Sequence, residues 1–230
     1  MVAVLLPVFL GLGFWQLERA EEKRQLQREY DSHASAPPVE VAPDPQPVEA
    51  LQFYRVRARG RYEPGYQVLL DNRVHQGRAG YHVITPLKIE GGEVRLLVNR
   101  GWVPLENDRR DLPPIPVPEG IQEITGIATV PAEKVFSLGD PTPISLRWPQ
   151  VWQHMDMRRY ASLVPFPLQP VVVLLDPEIP GGYVRAWQRL DSGIAVHQAY
   201  AVQWFALAAA LLGGYLYFGL RRARTGSEEA

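Results

Sequence analysis

From Ala199 to Leu220 the chain runs for 22 residues without a charged side chain, starting two residues after His197 and ending against Arg221, Arg222 and Arg224. As a helix rising about 1.5 Å per residue, such a stretch reaches about 33 Å, enough to cross a hydrocarbon core about 30 Å thick. Basic residues directly after a span stay on the cytoplasmic side. The pattern therefore predicts a transmembrane helix over 199–220, a cytoplasmic tail over 221–230, and His197 near the outer boundary.

A second uncharged stretch, Met1 to Leu17, predicts a transmembrane helix over 1–17. It reaches only about 25 Å, which suggests a natural helix that begins ahead of Met1. A cleaved signal peptide is the alternative. Against it, Met1 to Leu10 contains no Lys or Arg, and bulky Trp15-Gln16-Leu17 stands where a cleavage site would need small residues. Two retained spans give a multi-pass hairpin with both termini cytoplasmic and the middle segment outside. Arg19, Lys23, Arg24 and Arg28 run against a strict positive-inside count, but Glu18, Glu21, Glu22 and Glu29 alternate with them. The rule is weak for long translocated segments, so the second span sets the orientation.

Between the spans there is room for one domain with a real core. Residues 18–50 read as a helical extension followed by a connector: Glu18 to Tyr30 is rich in helix formers, and Pro37, Pro38, Pro43, Pro45 and Pro47 favour extended chain. The remainder, 51–198, reads as an extracytoplasmic β domain. The formal charge of −1 gives no reason to expect nucleic acid. With no cysteine, disulfides, thiol redox chemistry and thiolate metal sites are excluded.

Phe53 to Tyr62 alternates, with Tyr54, Val56, Ala58, Gly60 and Tyr62 on one side and Phe53, Arg55, Arg57, Arg59 and Arg61 on the other. Period two means a strand with one wet face. Further strands are expected over Gln67 to Asp71, Tyr81 to Ile89, Val94 to Asn99, Gln122 to Val130, Val171 to Asp176 and Tyr183 to Leu190. Glu90-Gly91-Gly92-Glu93 suits a hairpin loop, hence antiparallel neighbours. Leu112 to Pro118 and Asp140 to Pro143 are expected to be loops. Val151, Trp152, Met155, Tyr160 and Leu163 predict one amphipathic helix over Pro149 to Leu163. The fold class is a membrane protein with two transmembrane helices flanking a mainly antiparallel, barrel-like β domain, a sandwich being the second choice.

Hydrolase, zincin, phosphate-loop and EF-hand motifs are missing. Asp140, Asp176 and Glu178 suit turns better than acid–base work. His75, His82, His154, Met155 and Met157 invite a copper reading, but His154 and Met155 on one helix would point about 100° apart, leaving Met155 to the core and His154 to the surface. The arginine row on the alternating strand can hold propionates, lipid phosphates or an acidic partner; a solvated face is the simpler reading.

On the second span, helical spacing puts His197 on one face with Tyr200, Ala201, Trp204, Ala208, Leu211 and Tyr215. Ala206, Ala210 and Gly214 lie toward the other side, where small residues suit packing on the first span and leave the His197 face to another partner. A neutral imidazole among aromatic neighbours at a membrane boundary is a plausible axial ligand for haem iron; the alternative is an interfacial His in an aromatic belt.

Five phrases carry a family resemblance: Leu12-Gly-Phe-Trp-Gln16, Tyr54-Arg-Val-Arg57 leading to Gly60, Gly80-Tyr-His-Val-Ile-Thr-Pro86, Val98-Asn-Arg-Gly-Trp-Val-Pro104 and His197-x-x-Tyr-Ala-Val-Gln-Trp204. In order and across nearly the whole chain, they resemble the Surfeit locus protein 1 family of cytochrome c oxidase assembly factors. The resemblance implies a non-enzymatic factor in the bacterial inner membrane, its main domain periplasmic. It also implies haem a as transient cargo, with haem a synthase and the oxidase's large catalytic subunit as partners. His197 matches the family's candidate haem ligand, with Tyr200 and Trp204 as walls. Arg100 is a candidate for a haem propionate or an internal carboxylate, and Trp102 for a core or interface anchor, both closing an apolar strand at Gly101. A homo-oligomer is compatible with the sequence. Two rival functions remain: a membrane-anchored scaffold that holds an oxidase intermediate without haem, and a membrane-anchored enzyme of unknown reaction.

Overall fold

The computed structural model describes residues 1–106, 111–131, 147–187 and 193–226. They form two compact units, one of residues 1–30 and 188–230 and the other of residues 31–187.

Helix α1 spans Val2–Ser35, of which residues 2–30 belong to the first unit, and a second long helix, named α3 below in chain order, spans Ile194–Gly226. α1 ends just before Pro37 and Pro38, which lack the amide hydrogen a helix needs. Both helices contain windows long and apolar enough to cross a membrane, and only 6% and 11% of those windows are buried within the protein. The core helix of a soluble protein would be mostly buried. Instead Val4, Val8, Phe14, Val202, Leu212 and Phe218 lie exposed, a surface that water would penalise.

The second unit is built on strands β1 (Val39–Glu40), β2 (Arg55–Tyr62), β3 (Val68–His75), β4 (Arg78–Ile89), β5 (Arg95–Pro104), β6 (Gln122–Thr129), β7 (Gln150–Trp152) and β8 (Leu168–Leu175). Five of them close on themselves in the order β2-β6-β8-β5-β4, since β4 also pairs with β2 through Gly60↔Ile89, Arg61↔Lys88 and Tyr62↔Leu87. Closure removes free edges. β3 and β7 extend the sheet beyond β4, while β1 covers the open part of β2's edge. Most pairings are antiparallel; β1–β2, β3–β7 and β5–β8 are parallel.

The barrel interior takes alternate residues: Val56, Ala58 and Tyr62 of β2, Leu96 and Val98 of β5, Val171, Val173 and Leu175 of β8. Each such aliphatic side chain contributes about 1.5–3 kcal/mol on full burial. The opposite faces of β5 and β8 are buried too, because Leu97 and Val172 join Val68, Leu70, Ile84, Trp152, Met155 and Tyr160 in a second core.

That second core corrects the expected helix over 149–163. Gln150–Trp152 instead adds to β3 in parallel, with Val68↔Gln150 and Leu70↔Trp152, and the helix α2 spans only Met157–Leu163. Asp156 starts it, its carboxylate accepting from the Arg159 amide at 2.9 Å, the usual role of an N-cap. Other elements shift less. Phe53 leaves the alternating pattern, with φ 66° and its ring buried. Val184 makes a single bridge to Trp102 where a strand was expected. Residues 188–190 of that segment, and the Asp140–Pro143 stretch, lie outside the described residues.

Candidate functional site

His197 lies in the first turn of α3, one turn before Ala201 and two before Trp204. Its Nδ1 stands 2.7 Å from Gln16 Oε1 on α1. An amide oxygen only accepts, so with the Gln16 amide in this orientation a neutral imidazole would carry its proton on Nδ1 and present Nε2 with a lone pair. Further along, the Trp204 ring meets Phe9, centroids 5.8 Å apart. Gln16 to Phe9 and His197 to Trp204 are each seven residues, so the helices run antiparallel in matched two-turn steps. Phe205 fills the space beside Gly13, where an added Cβ would come within 2.6 Å of its ring, and meets Phe14 edge-on at 5.3 Å.

This reverses the expected packing. The His197 face, with Ala201 and Ala208 buried to 1% and 3% exposure, is the face that meets α1. Ala206 and Ala210 are exposed, and Gly214 has open space around it. The reason is complementary volume. The notch at Gly13 accepts a Phe ring, so the small residues that matter are Gly13 on one helix and Ala201 and Ala208 on the other. Tyr200 is 49% exposed.

Arg100 belongs to the β domain. It shares the inward face of β5 with Leu96 and Val98, and only 2% of it is exposed. Its partners are not carboxylates. Nε donates to Gly181 O at 3.0 Å and Nη2 to Pro116 O at 2.8 Å, while the guanidinium lies 5.2 Å and 5.0 Å from the ring centres of Tyr62 and Tyr183. Burial lowers its pKa from the ordinary arginine value, and pushes the Tyr62 hydroxyl up to about 12. The strand does not close here as expected. Gly101 takes φ 115° with Val184 O only 2.7 Å from where a Cβ would sit, and β5 continues through it to Pro104. Trp102 is buried, its Nε1 donating to Arg73 O at 2.9 Å.

Comparison with known proteins matches the SURF1 family over residues 3–209. The chain belongs to the SURF1 family. A SURF1-like protein of Rickettsia felis is 25% identical over 224 residues, covering 95% of each chain. Surfeit locus protein 1 of Xenopus tropicalis is 26% identical, covering 90% of this chain and 71% of its own, and that of Homo sapiens is 26% identical, covering 94% and 75%. SURF1 proteins are known as cytochrome c oxidase assembly factors.

Against that family background the other candidate residues sort by their contacts. The arginine row of β2 is a solvated face laced with ion pairs: Arg55 to Asp176 at 2.7 Å, Arg57 to Glu40 at 3.3 Å and Arg59 to Glu90 at 3.2 Å. Asp176 also accepts from the Thr125 hydroxyl at 2.7 Å, so its role there is to tie β6 to the end of β8. Asp140 lies outside the described residues. His154 and Met155 sit on the connector between β7 and α2, not on a helix; Met155 is buried and His154 half-buried. Among the described residues no three His, Asp or Glu side chains gather as a metal site.

Two features escape sequence reasoning. Gln16 was legible only as part of a family phrase; an amide closing an apolar stretch is the signal, but its partner is visible only once the helix register is known. Arg95, 10% exposed at its side chain, is bidentate to Glu63 at 3.1 and 3.0 Å and lies 4.4 Å over the Phe166 ring. Its hydrogen bonds to the Glu63 carboxylate raise its pKa.

Proposed function

We propose that this SURF1 family member is a membrane-anchored assembly factor for haem–copper cytochrome c oxidase, not an enzyme, and that haem a is its transient cargo. The observation that carries the cargo reading is the Gln16–His197 hydrogen bond. Metal-binding imidazoles typically donate their second N–H to a fixed acceptor, which sets the tautomer and the ring's orientation. Here the bond leaves Nε2 as the lone-pair nitrogen, on an apolar helix with Trp204 two turns away and Tyr200 beside it as candidate walls for a flat macrocycle. The donor set therefore fits haem iron, and bound haem would supply the redox-active centre of the finished oxidase. Arg100 takes no part in this reading, because carbonyls and aromatic rings already hold it within the barrel.

The partners that follow are haem a synthase as donor and the large oxidase subunit as acceptor. The arrangement in the membrane is the one the arginines at 221, 222 and 224 favour: both termini cytoplasmic and the β domain outside, in a bacterial inner membrane. A scaffold that never touches haem is the second reading. It is favoured by the same bond, since Gln16–His197 and Phe9–Trp204 also serve as ordinary contacts between two helices.

Purification from cells that co-express haem a synthase separates the two. A carrier copurifies with haem a, and His197→Ala loses it or shifts its absorption bands. Wild-type protein without haem a removes the carrier reading. Haem a retained by His197→Ala with an unchanged spectrum removes the ligand assignment alone.

A further inference from the structure

On the side of the sheet opposite the barrel interior, a cavity of about 300 Å³ opens between the strands and the connector from β7 to α2. The pairings Leu70↔His82, Ile84↔Asn99 and Asn99↔Leu174 carry its floor across β3, β4, β5 and β8. Its apolar lining includes Leu70, Ile84, Met155, Val172 and Leu174, and its polar lining is Arg73, His82, Asn99, Thr129 and His154. This mixture, mostly aliphatic with a few convergent polar groups, is the usual make-up of a small-molecule site.

The polar groups divide into those already committed and those left over. Asn99 accepts from the Gly101 amide at 3.2 Å and stands 3.4 Å from His82 Nδ1. The Thr129 hydroxyl donates to Val172 O at 3.0 Å, and Arg73 Nη2 to Gln153 O at 3.2 Å. Arg73 Nε and His154 Nδ1, by contrast, are buried with no hydrogen-bond partner among the described residues. Buried polar atoms left unpaired are costly and rare in native structures.

Charge narrows the ligand. Among the described residues no Asp or Glu lines the cavity. Burial and the nearby Arg73 hold His82 neutral, its pKa lowered to about 4. Arg73 thus supplies a fixed positive charge that repels a metal cation in spite of two imidazoles and a thioether in the wall. An ionised carboxylate has two acceptor oxygens and no hydrogen to place, which suits the unpaired Arg73 N–H together with a His154 tautomer that carries its proton on Nδ1.

We propose that this cavity binds a small ligand made of one carboxylate and a short aliphatic body, the carboxylate on Arg73 and His154 and the body against Ile84, Met155 and Leu174. The site lies within the β domain and does not depend on the haem reading. The chain has three methionines, so methyl-labelled Met in the full-length protein in detergent gives few resonances, and Met155→Leu assigns the relevant one. Sodium hexanoate is the probe, with hexylammonium chloride and inorganic phosphate as comparisons. Hexanoate is expected to shift the Met155 methyl and His154 imidazole signals saturably, with hexylammonium and phosphate each weaker by about tenfold or more, a difference of about 1.4 kcal/mol. Arg73→Gln should weaken hexanoate by a similar factor, and Arg73→Lys should keep the preference for the anion. No saturable response to hexanoate overturns the site. An equal response to hexylammonium or to phosphate in the wild-type protein overturns the ligand class, whether or not the Arg73 variants fold.

Discussion

Gln16 Oε1 and His197 Nδ1 stand 2.7 Å apart across two antiparallel helices, so a residue of α1 is placed to set the tautomer and ring orientation of a residue on α3. If His197 Nε2 ligates haem a, Gln16→Leu should weaken haem a binding by about 10- to 100-fold, the usual cost of losing a group that orients a metal-binding His. The helix pair itself should survive, because a polar contact between membrane helices is worth about 0.6–1.7 kcal/mol. Haem a titration followed by absorbance checks this; an unchanged affinity in Gln16→Leu would falsify the orienting role.

The Gly13–Phe205 contact makes a second, separate prediction about which helix faces meet. Gly13→Val places branched atoms where Phe205 sits and should drive the helices apart, whereas Gly214→Val, in open space, should not. Phe205→Ala in the Gly13→Val background should restore the pair, since it vacates the same volume. Cross-linking of cysteines placed at Phe9 and Trp204, whose rings meet across the two helices, with a short bifunctional thiol reagent reports the outcome. Equal cross-linking in Gly13→Val and Gly214→Val would return the packing role to the Ala206, Ala210 and Gly214 side.

These helices also show where the sequence was legible and where it was not. Length and lack of charge identified both apolar helices, because those properties belong to each helix alone. Which face packs depends on the partner's shape, and a glycine notch for a phenylalanine cannot be read from either stretch alone. The same contrast divides the β domain. β2 declared itself by strict alternation, having one wet face and one buried face. Residues 149–163 misled because Trp152, Met155, Tyr160 and Leu163 mimic helical spacing while a strand, a connector and a short helix in turn feed a shared core. The family phrases pointed to His197, but the bond that orients it and the cavity around His154 arise from contacts distant in sequence.

Arg95 has 10% of its side chain exposed and Glu63 27%, and the stability of the β domain should reflect this partly buried pair. Arg95→Ala leaves Glu63 without its bidentate partner and strips the Phe166 ring of its cover. The expected loss is about 1–3 kcal/mol, below the range of about 3–5 for a fully buried pair because water reaches Glu63. Arg57→Ala, on the solvated face of β2, should cost less than about 1 kcal/mol. Denaturant unfolding followed by tryptophan fluorescence distinguishes them. A loss at Arg95 no greater than at Arg57 would show that the pair is effectively hydrated.

His82 supplies the pH dependence. Burial, reinforced by Arg73, lowers its pKa from 6.5 to about 4 in the folded protein. Between those two values the unfolded chain binds a proton at this site and the folded chain does not, so stability rises with pH across that window. The contribution is complete above pH 6.5 and is lost as pH falls toward 4. Its ceiling is about 3 kcal/mol at 1.36 kcal/mol per pKa unit, reduced by the part of the ring that solvent reaches. His82→Gln removes the titrating group, so the difference in unfolding free energy between wild type and variant should shift against wild type as pH drops from 7 to 4.5. The imidazole resonances of His82 in the folded protein should stay in the neutral position down to about pH 5. A His82 that titrates near 6.5, with no pH-dependent difference from His82→Gln, would show that water reaches the ring freely in the cavity it lines.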